Sequence, residues 1–178
     1  MRMRERAEPV KMILTDVDGT LTDGTVLVFP DGEELKWYNV RDGMGLLLAH
    51  LVGFKTGCIT GKISGPLEIR AKKLRLDEIH QGILNKKEIL EKIQEKHGLA
   101  PEEIAYIGDD LGDLEAMESV GFSGAVADAH PRVKRSAHFV SRHPGGRGAV
   151  REFIDFIFDA QKKWDLVESK INKLTIKE

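Results

Sequence analysis

The chain has 178 residues, 27 Lys plus Arg against 29 Asp plus Glu for a net charge of -2, 41% hydrophobic residues and one cysteine. That length fits one domain able to bury about two thirds of its unfolded surface, with no need of a disulfide or a structural metal. The charge balance gives no basic footprint for nucleic acid and no pull toward an acidic membrane. Cys58 alone can form neither an internal disulfide nor a cysteine-rich zinc site, which favours a reducing, cytoplasmic setting.

The first residues, Met1-Arg2-Met3-Arg4-Glu5-Arg6, are basic, but Ala7-Glu8-Pro9 follows where the apolar part of an export signal would begin. Residues 1–9 therefore read as a charged tail. The longest apolar run, Leu46 to Phe54, is interrupted by His50 and Gly53 and falls short of the roughly 20 residues of a membrane span. Val10 to Thr15 predicts a strand that runs straight into Asp16-Val17-Asp18-Gly19-Thr20. Residues 25–29 and 34–38 flank Pro30-Asp31-Gly32, whose turn chemistry predicts a β-hairpin over 25–38 outside the main sheet.

Met44, Leu47, Leu48 and Leu51 carry a helical period over 42–52, with Gly53 as its stop. A second strand over 54–59 ends in Thr60-Gly61. There follow a helix over 66–74, a short extended piece at 78–80, a helix from Lys86 to His97 closed by Gly98, and a brief helical turn begun by Pro101. Ile104 to Ile107 is a third strand, and it ends in Gly108-Asp109-Asp110-Leu111-Gly112-Asp113. A helix with Leu114 and Met117 and short strands over 122–126 and 138–140 come next. Phe153, Ile157, Ala160, Trp164, Val167 and Ile171 then mark one helical stripe. Residues 164–178 read as a C-terminal tail with a solvated end. This alternation predicts an α/β fold, a mostly parallel sheet with helices on both faces, in a domain over 10–163.

In such a sheet, ligands bind where the carboxyl ends of the strands open onto a crevice. Three strand ends deliver Asp16 and Asp18, Thr60, and Asp109 with Asp110 and Asp113. Carboxylates gathered without a His or Cys in the same motifs call for a hard divalent cation, Mg2+. An isolated Asp-x-Asp is more often a turn with a capping acid, but Gly19-Thr20 and the second acidic cluster reverse those odds. His80, His130 and His143 show no metal-ligand spacing.

These residues resemble the haloacid dehalogenase superfamily of aspartate-nucleophile phosphatases. Its four motifs are matched in order by Asp16 to Thr20, by Ile59-Thr60-Gly61, by Lys86, and by Gly108 to Asp113. The resemblance implies a Rossmann-like domain in which Asp16 attacks phosphorus and Asp18 acts as acid, then base. It implies that Thr60 and Lys86 hold the phosphoryl oxygens. Mg2+ would be held by Asp16, the Asp18 carbonyl and Asp109, with Asp113 and Asp110 in support. Lys87, beside Lys86, is assigned to solvent.

Longer blocks narrow the resemblance, over residues 11–152, to a branch of sugar-acid phosphatases. They are Gly32 to Lys36, Asn39 to Gly43, Ala125 to Pro131 and Gly145 to Glu152. That branch implies hydrolysis of 3-deoxy-D-manno-octulosonate 8-phosphate in lipopolysaccharide precursor synthesis, with 2-keto-3-deoxynononate 9-phosphate as the alternative substrate. Its pocket would comprise Asp18, Asn39, Val40, Arg41, Asp42, Gly43, Lys62, Arg70 and Lys86, where Lys62 stands in place of a common arginine. The competing role for Arg41-Asp42 is a helix cap with a surface ion pair; for Gly145 to Gly148 the choice lies between a flexible loop and an anion-facing nest. A receiver domain would lack the late acidic motif, and an inactive oligomerisation module would have lost motif acids. Residues 21 to 59 leave no room for a cap domain. The branch therefore implies a homotetramer in which hairpins associate, neighbours roof each site and the tail beyond Lys163 reaches a neighbour.

Overall fold

A computed structural model describes residues 2–32 and 34–172. β1 (Met12–Thr15) lies in the middle of the sheet, and all four of its residues are buried. Such an unbroken apolar strand is expected where helices cover both faces of a parallel sheet. Around it lie β4 (Lys55–Ile59), β5 (Glu78–His80), β6 (Ile104–Gly108), β7 (Phe122–Ala125) and β8 (Phe139–Val140), in the order β5-β4-β1-β6-β7-β8 with every neighbouring pair parallel.

The chain moves from β1 to one side for β4 and β5, then crosses back for β6 to β8, so the strand order switches at β1. Thr15 is in register with Cys58 of β4 and Ile107 of β6. The residues just past these partners, Asp16, Thr60 and Asp109, therefore leave the sheet at nearly one level, at its switch point. β2 (Leu27–Val28) and β3 (Glu34–Leu35) form a separate antiparallel hairpin, turned by Gly32 at a φ of 88°.

The helices are α1 (Met3–Ala7), α2 (Val40–Leu51), α3 (Gly65–Leu74), α4 (Lys86–His97), α5 (Leu114–Glu118), α6 (Pro131–Ser136), α7 (Ala149–Ala160) and α8 (Trp164–Ile171). α7 buries Phe153, Ile154, Ile157 and Phe158 along one face. Phe153 stacks on Phe122 with centroids 5.0 Å apart, and a Cβ at Gly124 would stand 2.7 Å from its ring. The absence of a side chain at Gly124 is what lets the helix seat that ring on the sheet.

Three elements differ from expectation. The basic N-terminal segment is a helix, held down by Arg4, which donates to the Asp159 carbonyl at 2.7 Å, by Arg6, which donates to the Gly121 carbonyl at 3.2 Å, and by the buried Ala7. Pro131 to Ser136 forms α6, begun by His130, whose ring nitrogen accepts the Arg132 N–H. The stripe over 149–171 is two helices, because the chain turns at Lys162 with a φ of 53°. That turn sets the Trp164 ring edge-on to Phe158 and lets its indole N–H reach Asp159 at 2.6 Å. Val167 is consequently buried on the chain's own core, so the first half of the expected tail is folded, while residues 173–178 lie outside the described residues. Among the described residues no helix is long and apolar enough to cross a membrane.

Candidate active site

The Asp16 N–H bonds the Ile107 carbonyl at 2.9 Å, extending the ladder one residue past β1 and fixing where this acid begins. The chain then folds back as the N–H groups of Thr20, Leu21 and Thr22 converge on the Val17 carbonyl. Gly19, at a φ of 91°, brings this loop against the one after β6, and a Cβ there would lie 2.1 Å from an Asp109 carboxylate oxygen. Thr20 completes the junction by donating to Asp109 at 3.0 Å.

Lys86 is the first residue of α4, one place after Asn85, whose side chain caps the helix by accepting the Glu88 N–H. That entry angle buries Lys86 while Lys87 is exposed. The Lys86 ammonium donates to Asp16, to Asp113 at 2.7 Å and to the Tyr106 hydroxyl at 3.3 Å. Asp113 is a buried hub. One of its oxygens takes Lys86 and Tyr106, and the other takes the N–H groups of Asp109 and Asp110 at 3.0 and 3.2 Å. It thus fixes the cation and the whole Asp109 loop together.

Oxygens of Asp16, Asp109 and Asp113 lie within 4.8 Å of one another. Burial, and then the charge of Asp113, push the Asp16 carboxyl up to about 8 and that of Asp109 up to about 6. Burial alone would lower the Lys86 ammonium, but Asp16 and Asp113 outweigh it and hold it above its ordinary value. One lysine does not balance three carboxylates, and the donors are all hard oxygens with no sulfur or imidazole, a set that fits Mg2+. Because the Asp113 oxygens already accept four hydrogen bonds, Asp16 and Asp109 are the side chains left for a cation. Thr60 is buried at the adjoining strand end, its own N–H on the His80 carbonyl at 2.9 Å. Asp110 caps the turn from Leu111 to Asp113, accepting the Leu111 N–H at 2.8 Å.

Asp18 is not among the three clustered acids; it pairs with Lys36, whose ammonium lies 2.7 Å from one oxygen and 2.9 Å from the other. The segment from Asn39 to Gly43 divides by role. The Asn39 side chain caps α2 by accepting the Arg41 N–H and donates to the Gly146 carbonyl at 3.2 Å; Val40 and Arg41 are exposed. Asp42, expected in the pocket, is buried with its oxygens taken by the Gly148 and Arg151 N–H groups at 3.0 and 2.8 Å, so it anchors the start of α7. Its carboxylate is thus bonded within the fold and is not the surface ion pair weighed against the pocket role.

Gly43 leaves space for Arg70, since a Cβ there would stand 2.2 Å from the guanidinium, and the buried Arg70 Nε has no hydrogen bond. Lys62 is half exposed, 3.8 Å from Glu34 of the hairpin. The glycine loop is tightly packed: the Gly146 N–H bonds the Thr20 carbonyl, and a Cβ on Gly145 would meet the Gly19 carbonyl at 1.7 Å. Its anions are internal: the Asp128 carboxylate takes the Gly145 N–H at 2.9 Å and the Asp42 carboxylate the Gly148 N–H at 3.0 Å. Tyr106 is a site residue that the motifs did not point to, and Lys36 entered only as the last residue of the Gly32 to Lys36 block, without a role; the further signals were a lone tyrosine in an aliphatic strand and a lysine between two apolar neighbours.

The model for haloacid dehalogenase-like hydrolases matches residues 64–154. The 3-deoxy-D-manno-octulosonate 8-phosphate phosphatase of Escherichia coli K12 is 44% identical over 160 residues, covering 90% of this chain and 85% of that enzyme. The chain belongs to the haloacid dehalogenase-like hydrolase family. In structure it is similar to the Yersinia pestis phosphatase of the same name, with a TM-score of 0.90, 42% identity and coverage of 92% of this chain and 88% of that one. The Moraxella catarrhalis phosphatase, solved with magnesium, phosphate and KDO, has a TM-score of 0.91 at 34% identity, covering 95% and 97%. The fold and the oxygen-donor cluster thus belong to a family in which a relative holds magnesium.

Proposed function

We propose that this chain is a Mg2+-dependent phosphomonoesterase that hydrolyses 3-deoxy-D-manno-octulosonate 8-phosphate to the free sugar acid and inorganic phosphate. The observation that carries the chemistry is the Lys86 ammonium held between Asp16 and Asp113 beside Asp109, at the switch point of the sheet. The names of relatives at 44% and 42% identity support the substrate. Mg2+ bound by Asp16 and Asp109 supplies charge neutralisation at the phosphoryl oxygens.

An Asp16 oxygen attacks phosphorus, the ester P–O bond breaks, and Asp18 gives its proton to the leaving alkoxide. Water then attacks the aspartyl phosphate, Asp18 takes a proton from it, and the Asp16–phosphorus bond breaks to release phosphate. Lys86 and the Thr60 hydroxyl hold the phosphoryl oxygens as charge builds on them. Lys62 and Arg70, whose buried Nε has no hydrogen bond within the fold, are cations suited to a sugar carboxylate.

Among the described residues no domain is inserted between β1 and β4 or between β4 and β5, so nothing within them roofs the site. The hairpin exposes Leu27, Val28, Phe29, Leu35 and Trp37, an apolar patch on a two-stranded ribbon too small to be stable by itself. It therefore packs on copies of itself in a homotetramer whose neighbours close the site, in the cytoplasm where Cys58 stays reduced. Val28→Lys with Trp37→Lys is expected to yield monomers in sedimentation; an unchanged assembly rejects the hairpin as the contact.

Phosphate release from 3-deoxy-D-manno-octulosonate 8-phosphate and from 2-keto-3-deoxynononate 9-phosphate tests the substrate. The eight-carbon ester is expected to have a kcat/KM at least about tenfold higher, a difference of roughly 1.4 kcal/mol in transition-state binding. A preference for the nine-carbon ester overturns the assignment. No release from either overturns the enzymatic reading in favour of an inactive module.

A further inference from the structure

The second strand of the hairpin ends at Leu35, and burial alternates along the residues that lead out of it. Leu35 and Trp37 are 43% and 64% exposed, whereas the Lys36 side chain between them is only 1% exposed. Lysine is almost never buried unless it is paired, and here its partner is Asp18. The ammonium donates to one oxygen of that carboxylate at 2.9 Å and lies 2.7 Å from the other, which is buried without a hydrogen bond, and so holds the group in place. Asp18 follows β1 in the first-motif loop, while Lys36 lies just past β3, in a flap whose two strands pair only with each other.

We propose that Lys36 is a positioning residue for Asp18, through which the flap sets the geometry of proton transfer in both halves of the reaction. The proposal rests on the phosphatase reading. A general acid must stand within about 2.6–3.2 Å of the oxygen it protonates, and an error of about 1 Å can cost about 100-fold in rate. Lys36 bonds Asp18 and lies outside the Asp16, Asp109 and Asp113 group, so its effect passes through the side chain it holds. Leu35 and Trp37 on either side of it are exposed, and packing of that outer face therefore fixes the inner lysine.

The test compares Lys36→Met, Lys36→Gln and Lys36→Arg with wild type on the sugar phosphate and on p-nitrophenyl phosphate, whose leaving group needs no proton. For Lys36→Met, kcat on the sugar phosphate is expected to fall at least about tenfold with KM changed less than about threefold, as misplacement of an acid affects the transition state alone. On p-nitrophenyl phosphate the variant releases a burst of nearly one p-nitrophenolate per subunit before slow turnover, because phosphorylation proceeds and hydrolysis by a misplaced base does not. Lys36→Arg, which keeps an ion pair with Asp18, recovers most of the lost kcat. If Lys36→Met fails to fold, Lys36→Gln carries the same burst measurement.

A kcat within about twofold of wild type, or equal losses on both substrates with no burst, overturns the proposal, since a merely structural lysine removes active sites without dividing the two chemical steps. Should the wild type hydrolyse p-nitrophenyl phosphate but not the octulosonate ester, the substrate assignment fails by itself. The burst still decides the role of Lys36.

Discussion

Asp16→Asn is expected to abolish turnover, by on the order of 10⁴-fold or more, and in the absence of divalent cation to melt at a higher temperature than the wild type. The first effect follows from losing the attacking oxygen, for which the amide is no substitute. The second follows from the crowding of Asp16, Asp109 and Asp113 within 4.8 Å. Burial, then Asp113, hold Asp16 at about 8 against an ordinary 3.8, and Asp109 is raised to about 6 by the same causes. Both groups bind protons more tightly folded than unfolded.

Stability of the chelated wild type must therefore fall as the pH rises from about 4 through about 8, and Asp16→Asn, with no proton to lose at that position, should show a weaker fall. Lys86 keeps Asp113 at 2.7 Å in the variant, so its own charge remains paired. Added Mg2+ should raise the wild-type melting temperature most at high pH and raise the variant's less, because one ligand is gone. Melting curves at pH 5 and pH 8, with chelator and with Mg2+, check this. A variant that melts below wild type at pH 8 in chelator would sink the electrostatic account, and turnover within about 100-fold of wild type would remove Asp16 from the nucleophile role.

The acids of this site are legible in the sequence because they are local to strand ends: Asp16, Asp18, Asp109 and Asp113 each stand within five residues of a strand's last residue. Lys86 could be separated from Lys87 because Asn85 marks the helix start and fixes which side faces in. Partners that depend on tertiary folding are another matter. Asp42 sits in a helix that reads as pocket-lining, but its oxygens serve Gly148 and Arg151, more than a hundred residues on. Lys36 and Tyr106 acquire their meaning only from the acids they meet.

The α7–α8 boundary was hidden for a different reason. Apolar residues spaced four and three apart serve one straight helix or two that fold back, and only the contact of Trp164 with Phe158 chooses between them. Helix α1 is five residues long, too short for any period to appear, and it is held by arginine contacts to distant carbonyls. In each case the local pattern was compatible with two structures and long-range packing selected one.

Asp113→Ala should be the most damaging substitution for stability among the site acids, although Asp113 makes no bond to substrate in the mechanism above. Its oxygens accept from Lys86, Tyr106 and the N–H groups of Asp109 and Asp110; the truncation orphans the first two in the buried interior, while the last two are part-buried and can turn to water. Each lost acceptor costs about 1–3 kcal/mol when the donor stays buried, and Lys86 retains Asp16, so a net loss of about 2–4 kcal/mol is expected. The Tyr106 hydroxyl, fully buried and held well above its ordinary pKa by burial and by Asp113, has no water to turn to. Tyr106→Phe removes that single donor and should cost only about 1 kcal/mol.

Asp113→Asn separates shape from charge. Its carbonyl oxygen can still accept from Lys86 and Tyr106, but its NH₂ would face the N–H groups of Asp109 and Asp110, donor against donor, and the Asp109 loop would be released. Activity in Asp113→Asn is therefore expected to fall mainly through weaker Mg2+ binding, recovering in part as Mg2+ is raised, whereas Asp113→Ala also displaces Lys86 and recovers little. Urea unfolding midpoints for the three variants and Mg2+ titrations of kcat test the ordering. A stable Asp113→Ala with wild-type Mg2+ dependence would show that the hub holds neither the lysine nor the loop.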